Sequence, residues 1–181
     1  MDSNNDGRAD IAYAGDIEGD MWRFDLSAET AAGWKVDYKI YDGPASQPIT
    51  VAPDVTTHPQ TGFLVLFGTG RLYTVTDILD ASQQVILGIQ DTGTEPEEKG
   101  LIERELSVDT IYSGGGQTAA VRTFKTSIAI DWADYNGWQV KLPAGERLLT
   151  APILRAGRLK STITNPNGYA NWLLEVRFDE G

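Results

Sequence analysis

Residues 12–26 read AYAGDIEGDMWRFDL and predict two β-strands joined by a tight turn. In the second strand, Trp22, Phe24 and Leu26 alternate with charged residues, which is the pattern of a strand with one buried face. The Asp-Ile-Glu-Gly sequence between the two strands combines turn-forming residues with a glycine. This stretch therefore predicts a β-hairpin rather than a helix.

The same period of two recurs along the chain, at residues 36–41 and 172–179. No window carries a convincing helical stripe, although residues 76–84 allow a turn or two of helix. Short signals rich in Gly, Pro, Asn and Asp separate the strands and predict hairpins at Asp16–Gly19, His58–Gly62, Gly68–Gly70, Tyr135–Gly137, Arg155–Gly157 and Asn165–Gly168. The pattern predicts an all-β fold, as a sandwich, barrel or propeller.

A weak internal repeat favours the propeller. The sequences at residues 50–53 and 149–152 both end in Ala-Pro and are each followed by a short strand, a turn and a second strand. Four-stranded antiparallel blades usually take about 40–50 residues, so residues 1–181 predict a single domain of three to four blades. Closed propellers have about 4–8 blades, so we expect a partial β-propeller. The alternative is a Gly-rich β-sandwich.

Composition excludes several function classes. The chain of 181 residues has 15 Lys and Arg against 26 Asp and Glu, a formal net charge of −11, no Cys and one His. Zero Cys excludes disulfides and thiolate metal sites, and one His excludes a multi-histidine metal centre. The acidic balance argues against nucleic-acid binding. The longest apolar run, Phe63–Phe67, is far shorter than a membrane span of about 20 residues.

Residues 2–10 read DSNNDGRAD and predict a calcium-binding loop. Side-chain oxygens fall at loop positions 1, 3, 5 and 9, glycine falls at the sharp turn of position 6, and a backbone carbonyl is available at position 7. The predicted ligands are Asp2, Asn4, Asp6, the Arg8 carbonyl and Asp10. Calcium takes about 6–8 oxygen ligands, which a tight loop with inward-pointing alternate residues can supply.

The loop differs from an EF-hand, because Tyr13 occupies position 12, where a bidentate Glu would stand, and a strand follows instead of a helix. The alternative interpretation is an ordinary solvated Asn/Asp turn. No other residues suggest chemistry. His58 precedes a proline in a turn and is expected at the surface, and the remaining carboxylates (Asp77, Asp80, Asp131, Asp134 and Glu146) show no paired spacing. We therefore expect no enzymatic activity.

In these residues, the chain resembles the PilY/PilC family of type IV pilus tip-associated biogenesis factors and adhesins. Residues 2–26 carry the most specific part of the resemblance, which continues through residues 47–53, 67–71, 88–91 and 137–147 to residues 172–175. The order and spacing resemble the C-terminal part of that family's propeller domain.

The resemblance implies an exported protein at the pilus tip or outer cell surface, in which calcium bound by the residue 2–10 loop tunes pilus extension and retraction or adhesion. It also implies pilus proteins such as minor pilins as partners, and a host or surface receptor as another candidate.

Two alternatives remain open from the sequence. An integrin-like calcium-loop propeller of a general surface adhesin would repeat the loop in most blades, but here the loop occurs once. A quinoprotein-like propeller enzyme has blade repeats similar to residues 14–26, but it needs a closed propeller with a central calcium and a catalytic carboxylate.

Overall fold

The computed structural model describes residues 1–97, 99–107, 110–114, 117–122, 129–168 and 170–177. The strands are β1 (Ile11–Gly15), β2 (Met21–Asp25), β3 (Lys35–Tyr41), β4 (Asp54–Thr57), β5 (Phe63–Gly68), β6 (Val85–Asp91), β7 (Gly100–Arg104), β8 (Thr110–Gly114), β9 (Gln117–Val121), β10 (Tyr135–Lys141), β11 (Arg147–Leu148), β12 (Ile153–Arg155), β13 (Arg158–Asn165) and β14 (Ala170–Arg177). Two short 3₁₀ helices, Ala31–Gly33 and Val75–Leu79, are the helices among the described residues. The all-β prediction and the helical turn expected in residues 76–84 are confirmed, whereas Phe178 of the last predicted strand lies outside the described residues.

The first sheet contains β1, β2 and β3, all antiparallel. The predicted Asp16–Gly19 turn connects β1 to β2, and Gly19 adopts a φ of 98°. A side chain at Gly19 would come within 2.5 Å of the Pro44 carbonyl oxygen, so this turn needs glycine for space as well as for conformation. The buried residue of β2 is Met21 rather than Trp22. The face of β2 that packs on the next sheet is therefore the one that carries Met21, and the predicted face with Trp22 is the opposite one.

The middle sheet has the order β4-β5-β6-β10-β7, and β7 pairs parallel to β10 while the other pairs are antiparallel. Two turn predictions fail in this sheet. Residues 135–137 lie within β10, where the Gly137 Cα approaches β6 so closely that a side chain would meet the Gly88 carbonyl oxygen at 2.0 Å. The predicted hairpin at 68–70 is instead the end of β5, followed by a 3₁₀ helix before β6.

The third sheet is built around β13. Strand β14 pairs with β13 along its length, while β12 and β11 share the opposite edge of β13. The predicted hairpins at 155–157 and 165–168 are confirmed, and the first has Ala156 and Gly157 at positive φ. The remaining strands, β8 and β9, form a two-stranded hairpin.

The middle sheet separates two hydrophobic cores, because both of its faces are covered. One face packs against the third sheet and contributes Leu64, Leu66, Ile86, Trp138 and Val140. The other face packs against Met21 and Ile40 of the first sheet and contributes Val65, Phe67, Val85, Leu87 and Ile89. Burial on both faces explains why β5 is continuously apolar rather than alternating.

Strand counts vary between the sheets. The three large sheets have three, five and four strands, so the expected uniform four-stranded antiparallel blade is a simplification. They agree with the predicted three to four blades, and they do not close into a ring among the described residues. No helix in the described part of the chain has the length and apolar character needed to cross a membrane.

Candidate functional site

The loop of residues 2–10 is organised around the Asp2 carboxylate. Asp2 Oδ1 accepts hydrogen bonds from the N–H groups of Asn5 (2.6 Å) and Asp6 (3.2 Å), and Oδ2 accepts one from Gly7 (2.8 Å). Asn5 and Gly7 adopt φ angles of 62° and 89°. These left-handed residues turn successive N–H groups toward one carboxylate, which curls the backbone into a compact loop.

Three of the predicted ligand side chains meet inside this loop. The Asn4 amide Nδ2 lies 3.3 Å from Asp6 Oδ2 and 3.5 Å from Asp10 Oδ1. The Asn4 oxygen accepts the N–H of Asp6 at 2.9 Å, and the Asp6 Oδ1 accepts the N–H of Arg8 at 2.8 Å. The spacing prediction therefore identified residues that do cluster in space.

Asp10 connects the loop to the first sheet. Its Oδ2 accepts hydrogen bonds from the hydroxyl and the N–H of Ser3, at 2.7 and 2.8 Å, and these bonds hold the pKa of Asp10 below its usual value. Its carbonyl accepts the N–H of Leu26, which follows β2. The Asp10 side chain is therefore buried at the point where the loop becomes β1.

The donor set fits Ca²⁺ in chemistry, since Asp2, Asn4, Asp6 and Asp10 offer hard oxygens, three of them on carboxylates. Within the ranges that the structure describes, no three His, Asp or Glu side chains are arranged to hold a metal ion. The Asp2 carboxylate accepts backbone N–H groups of its own loop in this structure. The structure provides a loop with the required residues in proximity, and calcium binding stays a prediction.

A half-buried polar row that the sequence did not reveal crosses the first sheet. Tyr13 of β1, Arg23 of β2 and Tyr38 of β3 are cross-strand neighbours in one row of the first sheet. All three reach Asp91, the last residue of β6, which is 1% exposed. The Tyr13 and Tyr38 hydroxyls donate to the two Asp91 carboxylate oxygens at 2.5 and 2.6 Å.

The charge of Asp91 is balanced within this row. Arg23 Nε lies 3.0 Å from Asp91 Oδ2, close enough for an ion pair although not aligned as a hydrogen bond, and Arg23 Nη1 also contacts Asp37. Burial, followed by the hydrogen bond to Asp91, raises the pKa values of Tyr13 and Tyr38. The tyrosines therefore remain protonated donors. No sequence signal pointed to this row, because Asp91 lies 78 and 53 residues from its two tyrosine partners.

The expectation that His58 lies at the surface is wrong. Its side chain is buried in the β4–β5 turn, where the Nδ1 atom accepts the N–H groups of Gln60 (3.1 Å) and Thr61 (3.3 Å). The ring packs edge-on against Trp132, with ring centroids 4.2 Å apart. His58 thus stabilises a turn.

Two of the other carboxylates considered for acid–base chemistry have separate structural roles. Asp77 accepts the N–H groups of Tyr73 and Thr74 at the start of a 3₁₀ helix, and these bonds lower its pKa to about 2. Arg122 Nη1 donates to both carboxylate oxygens of Glu146, at 2.8 and 2.7 Å. The cleft that Glu146 lines together with Arg122 and Trp172 contains none of the other carboxylates considered.

Comparison with known proteins identifies relatives of one kind. The family model of the PilY1 beta-propeller domain matches residues 1–115. A type IV pilus biogenesis factor PilY1 homolog from Xylella fastidiosa is 28% identical over 96% of this chain, and PilY1 from Pseudomonas aeruginosa is 29% identical over 75% of it. The chain spans only 13% and 15% of the lengths of these two curated relatives.

A solved structure shows the same architecture. The crystal structure of the Pseudomonas aeruginosa PilY1 C-terminal domain superimposes with a TM-score of 0.87 at 26% sequence identity. The superposition covers 100% of this chain and 46% of that one. The three sheets described above therefore have the arrangement of a β-propeller domain, as the repeat pattern predicted.

Proposed function

This chain belongs to the PilY1 β-propeller family, and on that premise we propose that it is a non-enzymatic module of a type IV pilus assembly and adhesion protein. The observation that carries the proposal is the match of residues 1–115 to the family model, together with the shared architecture over the whole chain. The parent protein would be exported and would act at the pilus tip or outer cell surface. Its partners would be pilus proteins such as minor pilins, with a host or surface receptor as a second class.

We further propose that the loop of residues 2–10 binds Ca²⁺ through Asp2, Asn4, Asp6, the Arg8 carbonyl and Asp10. The loop brings three carboxylates into nine residues, and no Lys or Arg among the described residues forms an ion pair with them. A bound Ca²⁺ would supply the positive charge that offsets their mutual repulsion. The side-chain clustering around Asn4 supports this assignment, because it brings the side chains of Asn4, Asp6 and Asp10 within 3.5 Å of one another through the Asn4 amide.

The residues that follow the loop would transmit its ordering. Asp10 is buried and its carbonyl is bonded to the residue after β2, so fixing Asp10 also fixes the start of β1. Without compensation of the loop charge, we expect residues 2–10 to be more mobile and the β1–β2 hairpin to fray at this end. The proposed consequence is a calcium-dependent surface next to the hairpin, available to a partner.

Calorimetric titration with Ca²⁺ tests the site. Asp6 is exposed and makes no contact with either core, so Asp6→Ala removes a ligand without removing packing. We expect saturable binding by the wild type, loss of binding by Asp6→Ala, and unchanged binding by Asp134→Ala, an exposed carboxylate in a turn outside the loop. Absence of binding to the wild type at millimolar Ca²⁺ would show that residues 2–10 are an ordinary Asn/Asp turn.

The same pair of variants tests the pilus role in the parent protein. Cells that express parent protein with Asp6→Ala should display an altered number of surface pili in the presence of calcium, whereas Asp134→Ala should behave like the wild type. If a deletion of the whole 1–181 region left surface piliation and adhesion unchanged, the pilus assignment itself would be contradicted. This outcome is separable from a failure of the calcium site alone.

A further inference from the structure

The segment that connects β5 to β6 carries an exposed apolar surface. Leu72, Tyr73, Val75 and Leu79 are 40%, 69%, 81% and 74% exposed, although all four are large hydrophobic side chains. Exposed apolar residues are ordinary when they are scattered singly, but several in one short segment mark a site of interaction. We call these four residues the 72–79 surface.

Buried polar groups hold the backbone beneath this surface in place. The carboxylate of Asp77, which is 4% exposed, accepts the N–H groups of Tyr73 and Thr74 at 2.9 and 2.8 Å. The guanidinium of Arg147 donates to the carbonyls of Arg71 and Asp77 at 2.9 and 2.8 Å. The apolar side chains are therefore presented by an anchored segment, which lowers the entropy cost of binding a partner.

The geometry of the 3₁₀ helix Val75–Leu79 explains why these side chains face outward. Side chains three residues apart share a face in a 3₁₀ helix. Asp77 is buried on the inward face, so Val75 and Leu79, each two residues away from it, fall on the other faces. The segment is thus attached through polar bonds, and its apolar residues remain available for contact.

A groove of about 350 Å³ continues this surface toward the β1–β2 turn. Tyr73 lines one part of the groove, and Ile17, which is 58% exposed, lines another. Val51, Pro53 and the buried Ile49 also line it. An apolar side chain of a partner can therefore enter a concave and largely apolar site, which is the usual environment of an interface anchor.

The charges around this surface are negative. Asp16 and Glu18 flank Ile17, and no Lys or Arg in the described part of the chain forms an ion pair with either carboxylate. Residues 72–84 contain no Lys or Arg, and Asp80 likewise forms no ion pair with a described residue. The apolar side chains therefore lie within an acidic border.

These charges decide which kind of partner fits. The chain has a net charge of −11, so a second copy, a nucleic acid or an anionic membrane would meet like charge at this border. A segment that carries both apolar side chains and Lys or Arg complements the apolar centre and the acidic border together.

We propose that the 72–79 surface and the adjoining groove dock a cationic amphipathic segment of a partner protein. One apolar side chain of that segment enters the groove between Ile17 and Tyr73, others cover the rest of the surface, and its Lys or Arg side chains lie opposite the acidic border. This inference goes beyond the proposed function, because it assigns a binding surface and the chemistry of its partner, and it does not depend on calcium binding.

Two fluorescein-labelled peptides test the surface on the 181-residue chain. The first, Lys-Leu-Leu-Lys-Lys-Leu-Leu-Lys-Lys-Leu-amide, places its leucines on one face of a helix, and the second has Glu in place of every Lys. Fluorescence anisotropy should show saturable binding of the Lys peptide and at least about tenfold weaker binding of the Glu peptide. No saturable binding of the Lys peptide at millimolar concentration, or equal binding of both peptides, would overturn the proposal.

NMR of the wild type locates the bound peptide without any substitution. The Lys peptide should shift the amide signals of Ile17 and of residues 72–79 more than those of the third sheet. Shifts concentrated outside these residues would show that the peptide binds to general surface charge, and the proposal would fail.

Paired serine substitutions measure the contribution of the apolar side chains. Val75→Ser with Leu79→Ser removes two exposed side chains that belong to neither core, and it should weaken binding of the Lys peptide at least about tenfold. Ile153→Ser with Leu173→Ser is the matched control, because these residues of the third sheet are 62% and 74% exposed, and it should bind like the wild type. Equal loss of binding in both pairs would contradict the assignment, and circular dichroism checks that each variant is folded.

Two further measurements separate the other occupants. If sedimentation shows self-association that Val75→Ser with Leu79→Ser abolishes, a second copy occupies the surface and the proposal is wrong, whereas a wild type that sediments as a monomer agrees with it. The full-length parent protein should bind the Lys peptide as tightly as the 181-residue chain does. If it does not, its own residues cover the surface and the proposal fails.

Discussion

His58 shows how a single side chain can stabilise a turn by remaining neutral. Because Nδ1 accepts two backbone N–H groups, the ring proton resides on Nε2, which faces no hydrogen-bond partner among the described residues. Burial also lowers the pKa of His58 below its ordinary value of 6.5. Protonation of Nδ1 would set a third N–H against the two donors from Gln60 and Thr61.

The pH dependence follows with a definite sign. In the unfolded chain His58 binds a proton near pH 6.5, whereas the folded chain resists protonation, so acid favours unfolding. We expect the free energy of unfolding to fall as the pH drops from about 7 through the range below 6.5, and to be constant above it. Urea unfolding at several pH values between 8 and 5 measures this change.

His58→Gln provides the control, since glutamine does not titrate. Because His58 is the one histidine of the chain, the stability loss between pH 7 and about 5.5 should disappear in this variant. An identical pH profile for both proteins would assign the loss to other groups and contradict the neutral-histidine interpretation.

Arg147 is a second residue whose burial the sequence did not suggest. It is 1% exposed, and its guanidinium donates to the carbonyls of Arg71, Asp77, Asp80 and Gly145. The fork of N–H groups thus gathers the end of a 3₁₀ helix and connects it to β11 of the third sheet. A buried cation that binds several carbonyls depends on having enough donors in fixed directions.

Arg147→Lys should therefore destabilise the protein although it keeps the charge. An ammonium group cannot reach all four carbonyls, so we expect a loss of about 2–4 kcal/mol in the free energy of unfolding. Arg155→Lys, at the exposed last position of β12, should change it by less than about 0.5 kcal/mol. If chemical denaturation gave the same change in the free energy of unfolding for Arg147→Lys and Arg155→Lys, the carbonyl contacts of Arg147 would contribute nothing beyond its charge.

At the scale of elements, the row of Tyr13, Arg23 and Tyr38 explains how two sheets are held at a fixed relative position. Hydrophobic packing between sheets is non-directional, whereas hydrogen bonds from three neighbouring strands to one carboxylate specify a register. Asp91 stands at the end of β6, so this junction lies at one corner of the sheet-to-sheet contact. The first sheet is therefore attached both by its apolar face and by this polar corner.

Removal of one hydroxyl measures the contribution of this corner. Tyr13→Phe keeps the ring but removes a donor to the buried Asp91, and we expect a loss of about 1–3 kcal/mol in the free energy of unfolding. Tyr73→Phe is the matched control, because Tyr73 is 69% exposed and its hydroxyl makes no hydrogen bond to a described residue. Its effect should be below about 0.5 kcal/mol, and a comparable loss in both variants would contradict the role of the row.

For the whole molecule, the decisive feature is that one sheet contributes to two cores. Leu66 faces the core shared with the third sheet, and Leu87 faces the core shared with the first sheet. Both leucines are fully buried. Because the middle sheet belongs to both cores, we expect them to unfold together rather than as separate units.

Leu66→Ala and Leu87→Ala test this cooperativity. Each should lower the free energy of unfolding by about 2–5 kcal/mol, since each leaves a cavity in a packed core. Far-ultraviolet circular dichroism and tryptophan fluorescence should report one coincident urea transition for the wild type and for both variants. Separated transitions in either variant would show that one core can melt while the other remains.

Local patterns in the sequence determined the element types and much of the candidate site. Period-two alternation and glycine turns identified the hairpins at 16–19, 58–62, 155–157 and 165–168, and the Asp-x-Asn-x-Asp-Gly spacing identified a loop whose side chains do meet. These features depend on residues close in sequence, where backbone geometry alone fixes which side chains can approach one another.

The tertiary structure alone decided what lies against what. It made residues 135–137 part of a strand, in which β6 passes too close to position 137 for any residue but glycine. It also buried His58 and Arg147, whose partners are carbonyl, amide and ring groups with no sequence signature. It also joined Asp91 to tyrosines on two other strands. Such contacts arise only when sheets pack face to face, and the packing is set by the sum of many weak, long-range burials that no local pattern encodes.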